Sequence, residues 1–239
     1  MTPSGTTSST RVTPEELFRR HPMLAALEPA ETRELVRRAQ VRQVNAGHVI
    51  FRRGDAGDGL YGVIEGRVVV TVESAAGKEL ILNTFGTGAL FGEIALLDGK
   101  GRSATAVARE ASTLLFLARA VFLPFLEGRP QTAIRVIALL CERLRRTTQM
   151  VEDSAFLNVP THLAKQLATL AHDHGRHDQG ATAITLAISQ AELAQMLGVS
   201  REIVSRQLAI WREAGILDIA RGRLLVRDLR ALDHIVAGG

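Results

Sequence analysis

The sequence predicts an α+β chain in three parts: an N-terminal antiparallel β-roll, one long helix and a C-terminal winged helix-turn-helix. Three observations predict it. Short apolar blocks divided by glycine turns fill residues 41–117, an apolar stripe at steps of three and four follows Pro130, and a capped two-helix motif with a glycine turn opens near Ser189.

Residues 1–12 are rich in Ser and Thr without an apolar run, which reads as a flexible tail and neither a signal peptide nor an anchor. Thr13-Pro14-Glu15-Glu16 then supplies an N-cap, a proline at the first helical position and first-turn acids, so a short helix runs through Arg20. A second helix follows over 29–39. The roll takes over with Val49-Ile50-Phe51, Leu60-Tyr61-Gly62-Val63-Ile64, Val68-Val69-Val70-Thr71-Val72, Leu80-Ile81-Leu82 and Leu114-Leu115-Phe116-Leu117. Turns are expected at Gly54-Asp55, Glu65-Gly66, Ala76-Gly77 and Gly86-Thr87-Gly88. The expected domain with its flanking helices is 13–129.

The long helix and its hinge are assigned to 130–157. Ile134, Ile137, Cys141, Leu144, Thr148, Val151 and Ala155 form an a/d seam, flanked by Arg135, Glu142, Arg143, Arg145, Arg146 and Glu152. Such a stripe serves either a partner helix or the chain's own domain, and its narrowness favours a partner, hence a dimer. Thr148 is the polar seam position, a device that sets register or meets a ligand.

In the part spanning 158–239, Ser189 and Glu192 make a capping box for a helix through Leu197. Gly198-Val199 turns the chain, Ser200 caps the second helix, and Gly215 ends it. Ala194 is small where the helices cross. The second helix begins Arg201-Glu202-Ile203-Val204-Ser205-Arg206, with arginines suited to guanine edges and an acid suited to cytosine N4. Residues 216–226 read as a β-wing with Arg221 and Arg223 at its tip, natural contacts for phosphate. Double-stranded DNA is the partner this motif implies.

Composition bounds the rest. The 239 residues are 46% hydrophobic, with 29 basic and 25 acidic side chains for a formal net charge of +4. That balance is compatible with nucleic acid but weak as an argument. No uncharged apolar stretch is long enough to span a membrane. The single cysteine, Cys141, excludes an internal disulfide and a cysteine-built cluster or zinc site within one subunit, and a reducing cytoplasm is the expected compartment. His48 is the only histidine of the roll, so no metal triad or activated nucleophile is supplied there. His172, His174 and His177, with Asp173 and Asp178, read as a solvated loop rather than a metal site. No metal, prosthetic group or catalytic residue is expected.

Residues 92–104, Gly-Glu-Ile-Ala-Leu-Leu-Asp-Gly-Lys-Gly-Arg-Ser-Ala, put one acid, one arginine and one hydroxyl on a glycine-punctuated turn. A carboxylate accepts from a sugar hydroxyl, a guanidinium forks onto phosphate oxygens, and the hydroxyl with nearby N–H groups completes an anion nest. The segment resembles the phosphate-binding cassette of the cyclic AMP receptor protein and fumarate-nitrate regulator superfamily. The likeness extends from about residue 41 to 226 in the family's order, including the hinge Ser154-Ala155-Phe156-Leu157-Asn158-Val159.

The resemblance implies a homodimeric transcription regulator controlled by cyclic AMP, with cyclic GMP open, and RNA polymerase as a further partner. It gives Glu93 the ribose, and Arg102 and Ser103 the cyclic phosphate, with Gly92, Ile94 and Ala104 completing the ligand contacts. Thr147 would meet the base in its own subunit and Thr148 that of the partner, while Arg143 pairs with the cassette acid. Arg201, Glu202 and Arg206 would read a palindromic TGTGA-like operator, with Ser200 and Ser205 alongside. A family regulator indifferent to nucleotide, or answering another small effector, is the alternative.

Overall fold

The computed structural model describes residues 11–25, 27–178, 181–184, 188–220 and 223–238, without side chains at 173–174, 176–178, 181–184, 220 and 223. Arg221 lies outside them, as does most of the expected tail. Contacts gather the described residues into two compact units, one from residues up to 77 and 81–144, the other from 78–80 and 145 onward.

The first unit opens with α1 (Pro14–Arg20), where Thr13 and Glu16 close a reciprocal capping box, and α2 (Pro29–Arg38). Eight strands follow: β1 (Gln40–Val44), β2 (Val49–Phe51), β3 (Gly59–Glu65), β4 (Val68–Glu73), β5 (Glu79–Phe85), β6 (Leu90–Phe91), β7 (Thr105–Ala108) and β8 (Ser112–Ala118). They form two four-stranded sheets, in the orders β1-β8-β3-β6 and β2-β7-β4-β5. The resolved pairings are antiparallel, with Tyr61 opposite Phe116 in the first and Val69 opposite Val107 in the second. This is the expected roll.

Aromatic packing fills it. Tyr61 and Phe91 stack with centroids 5.4 Å apart, and Phe51, Phe85 and Phe116 close around them. Two helices were not foreseen. A short helix, α3 (Glu93–Asp98), stands where a glycine turn was expected, because glycines in the left-handed conformation bracket it at positions 92 and 99. The other, α4 (Arg119–Glu127), buries Phe122 and Phe125 despite an internal Pro124.

The long helix α5 (Pro130–Phe156) is continuous. Its part within the first unit has two apolar faces. Thr132 and Val136 are buried, and Leu139 and Leu140 pack against the same core as α1 and α4. The seam residues Ile134, Ile137 and Leu144 are instead 57, 58 and 67% exposed. The chain's own domain therefore uses a different face from the predicted stripe, which stands open in one subunit.

The second unit continues with α6 (Val159–His174), capped by Asn158, whose side chain accepts from the Thr161 N–H at 3.0 Å. Then come β9 (Gly175–Asp178) and β10 (Ala181–Ile184), α7 (Gln190–Leu197), α8 (Arg201–Glu213), β11 (Leu217–Ala220), β12 (Arg223–Val226) and α9 (Leu229–Ala237). The wing is wider than expected, a four-stranded antiparallel sheet in the order β11-β12-β10-β9. The histidine stretch is correspondingly not a loop: His172 and His174 belong to α6 and His177 to β9. No cluster of metal-ligating side chains occurs among the described residues. One core gathers Leu163, Leu167, Leu193, Val204, Leu208, Trp211, Leu217 and Leu232.

Candidate ligand cassette and DNA-reading helix

Glu93 is the first residue of α3, and the left-handed Gly92 before it turns the chain so that the carboxylate points inward. Glu93 is only 2% exposed. Burying a carboxylate demands compensation. Arg143 of α5 provides part of it, pairing its Nη1 with Glu93 Oε1 while Nη2 donates to the Leu90 carbonyl at 2.7 Å. The pair is a close ionic contact without hydrogen-bond alignment, so both carboxylate oxygens lack an aligned donor among the described residues.

Arg102 is 3% exposed and lies under the cassette rather than on its surface. Its Nη1 donates to the Gly92 carbonyl at 2.8 Å, and its Nη2 to the Gly59 carbonyl at 2.7 Å and to Asp58 Oδ1 at 2.6 Å. The guanidinium carbon sits 4.2 Å from the centre of the Phe51 ring, a cation–π contact in a desolvated site. Its Nε finds no partner among the described residues. A side chain at Gly92 is strained by its φ of 83°, and an added Cβ, 2.7 Å from Arg102 Nη1, would push that guanidinium aside.

The expected fork onto an external anion thus finds much of this guanidinium already engaged. Asp58 was missed in the sequence because the Gly54-Asp55-Ala56-Gly57-Asp58 run reads as an ordinary turn. The available signal was charge: an arginine placed inside an aromatic roll needs a nearby acid.

The other cassette residues divide by exposure. Ser103 and Ile94 are exposed, Ile94 by 44%, while Ala104 is buried. Thr147 and Thr148 are exposed on α5, four and five residues beyond Arg143. His21 is buried and its Nδ1 accepts from the Met23 N–H. Burial, reinforced by the Arg143 charge against an opposing pull from Glu142, lowers its pKa to about 4.

In the second unit, Ser189 and Glu192 close the expected box at the start of α7. Gly198 takes φ 68°, which lets the chain reverse into α8. Val204, Leu208 and Trp211 anchor α8, leaving Arg201, Glu202, Ser205 and Arg206 exposed. Ser200 sits at the N-cap but makes no backbone cap bond. Its hydroxyl lies on the side of the exposed Glu202 carboxyl and acts on its acidity. Together with the residue's own backbone N–H, the larger influence, it holds the Glu202 carboxyl below the usual range. The Arg223 side chain and all of Arg221 fall outside the description.

Residues 41–129 match the cyclic nucleotide-binding domain, and residues 161–235 match the Crp-like helix-turn-helix domain. A CRP-like cAMP-activated global transcriptional regulator of Mycobacterium tuberculosis is 30% identical over 218 residues, covering 91% of this chain and 97% of the relative. The cyclic AMP receptor protein of Thermus thermophilus is 35% identical over 217 residues, with the same coverages. Among solved structures, the c-di-GMP responsive global regulator CLP of Xanthomonas campestris superposes with a TM-score of 0.72 at 26% identity, covering 83% of this chain and 99% of its own. Roll, cassette and reading helix define a DNA-binding transcription regulator with a cyclic nucleotide-binding domain, not an enzyme. The chain belongs to the cyclic AMP receptor protein and fumarate-nitrate regulator family.

Proposed function

We propose that the chain is a homodimeric regulator switched by a cyclic nucleotide, cyclic AMP first with cyclic GMP left open, and that it acts on a palindromic TGTGA-like operator and on RNA polymerase. The observation that carries the effector assignment is a pair of orphaned buried atoms of opposite charge. Among the described residues, Glu93 Oε2 has no partner and Arg102 Nε–H has no acceptor. A ribose hydroxyl donates to the first, and a cyclic phosphate oxygen accepts from the second.

Ser103 and the backbone at Gly92, Ile94 and Ala104 line the phosphate side in this reading. Thr147 meets the base in its own subunit and Thr148 the base in the partner. The open stripe of α5 supports the dimer, since burying it on a second copy removes a row of large apolar side chains from water. On DNA, Arg201, Glu202 and Arg206 read base edges, Ser200 and Ser205 flank them, and Arg221 and Arg223 contact phosphate.

Calorimetry with cyclic AMP and cyclic GMP, with and without a palindromic duplex, tests this reading. Linkage requires that duplex tighten nucleotide binding by the factor with which nucleotide tightens duplex binding. Equal nucleotide affinities in both conditions refute the switch. A second reading, regulation without nucleotide, is favoured by Asp58, which already supplies Arg102 with an anion inside the chain. Full duplex affinity in nucleotide-free protein decides for it.

A further inference from the structure

The outward face of α8 is polar except where it carries large apolar side chains. Ile203 is one, 42% exposed in the first turn among the charged readers. The next residue, Val204, is fully buried in the core, as are Leu208 and Trp211. At about 100° per residue, Ile203 is turned well away from that core, and Arg206, three positions on, neighbours it on the outer surface. Glu202, one position earlier, projects about 100° around the helix from Ile203. In the free protein the forward surface of this turn therefore offers a branched hydrocarbon beside Arg206.

The edges of the base pairs in the major groove present one apolar group, the 5-methyl of thymine. An aliphatic side chain meeting cytosine at the same place covers no methyl and gains no comparable contact. We propose that Ile203 is a specificity-determining residue that packs on a thymine methyl, adding selection for one T·A pair per half-site to the readings of the charged residues. The proposal rests on the proposed reading of base edges by the first turn of α8, which places that turn in the major groove.

The test uses the full chain and duplexes selected by it from a randomised library, with selections run both with and without cyclic AMP so that the effector question does not enter. Each thymine of the selected site is then replaced singly by uracil, which deletes only the methyl. Wild type is expected to lose about fourfold in affinity at one position per half-site, the equivalent of one buried methylene. Ile203→Ser is expected to bind the thymine and uracil duplexes alike, with the salt dependence of binding unchanged because no phosphate contact is involved. Ile203→Val, which keeps two branched methyls, retains a smaller thymine preference and guards against a variant that merely folds poorly. If no uracil substitution weakens wild type, or if Ile203→Ser keeps the wild-type ratio, the proposal is overturned. A library from which no sequence emerges overturns the groove-reading assignment and this inference together.

Discussion

Arg143 and Glu93 join the long helix to the head of the cassette: a guanidinium on α5 meets a carboxylate that the fold has otherwise sealed from water. The same arginine also holds the Leu90 carbonyl, so one side chain fixes both the last strand before the cassette and the acid that opens it. Anything that changes the Glu93 carboxylate is therefore felt on α5.

Breaking that pair from the arginine side leaves a buried charge without its counter-ion. Arg143→Ala is expected to destabilise the fold by about 3 kcal/mol in urea unfolding, the range for orphaned buried partners. Adding Glu93→Gln should recover about 2 kcal/mol of the loss, because the remaining amide is neutral. Additive losses in the double variant would show that the two side chains do not act together.

In the proposed reading, Arg102 serves structure as well as ligand. Its substitution by alanine removes three hydrogen bonds and the cation–π contacts to Phe51 and Tyr61 at once. Arg102→Ala should lower stability by about 3 kcal/mol and abolish cyclic AMP binding in calorimetry. Asp58→Asn keeps the shape and a hydrogen-bond acceptor while removing the internal anion, so it isolates the charge. Its binding isotherm should change while its melting temperature moves much less than that of Arg102→Ala.

The seam of α5 predicts assembly. Ile137→Asp together with Leu144→Asp places two charges on the open stripe without touching the buried face that carries Val136. Sedimentation velocity should show wild type as a dimer and the double variant as a folded monomer. A dimeric double variant would place the contact elsewhere.

His21 makes stability pH-dependent. Its folded pKa of about 4 lies below the ordinary value of 6.5, so the unfolded chain takes up the proton first. The neutral imidazole's contribution is fully present above pH 6.5 and is lost as pH falls toward 4, by up to about 3 kcal/mol. His21→Asn, which retains an acceptor for the Met23 N–H, should flatten that slope in unfolding curves at pH 5 and 7.5. Arg143 and Glu142 are the charges that face it and are unchanged in this variant.

Much of this architecture is legible in residue patterns because the governing interactions are local. Thr13 with Glu16 and Ser189 with Glu192 are caps that act over three residues, and each starts a helix at its expected place. The blocks at 49–51, 60–64, 68–72 and 114–117 fall inside strands because alternating or fully apolar runs have few other uses. What stayed hidden depends on distance in the chain. Asp58 and Arg102 are 44 residues apart, and nothing near either reveals the other. The widened wing is equally non-local, since β10 is accepted by β12 across both helices of the reading motif. The short β6, the helix α3 and the proline-containing α4 are set by surrounding packing, which overrides their weak local preference.

The two faces of α5 have a mechanical consequence. Its first stretch, residues 130–144, roughly 22 Å of helix, is gripped along one side by the core of the first unit. Rolling the rod about its axis to improve its fit to a sister molecule would drag Val136 and its neighbours out of their sockets. Side chains on the open stripe can be exchanged one at a time, but the angle at which the shaft presents them is set by its own housing.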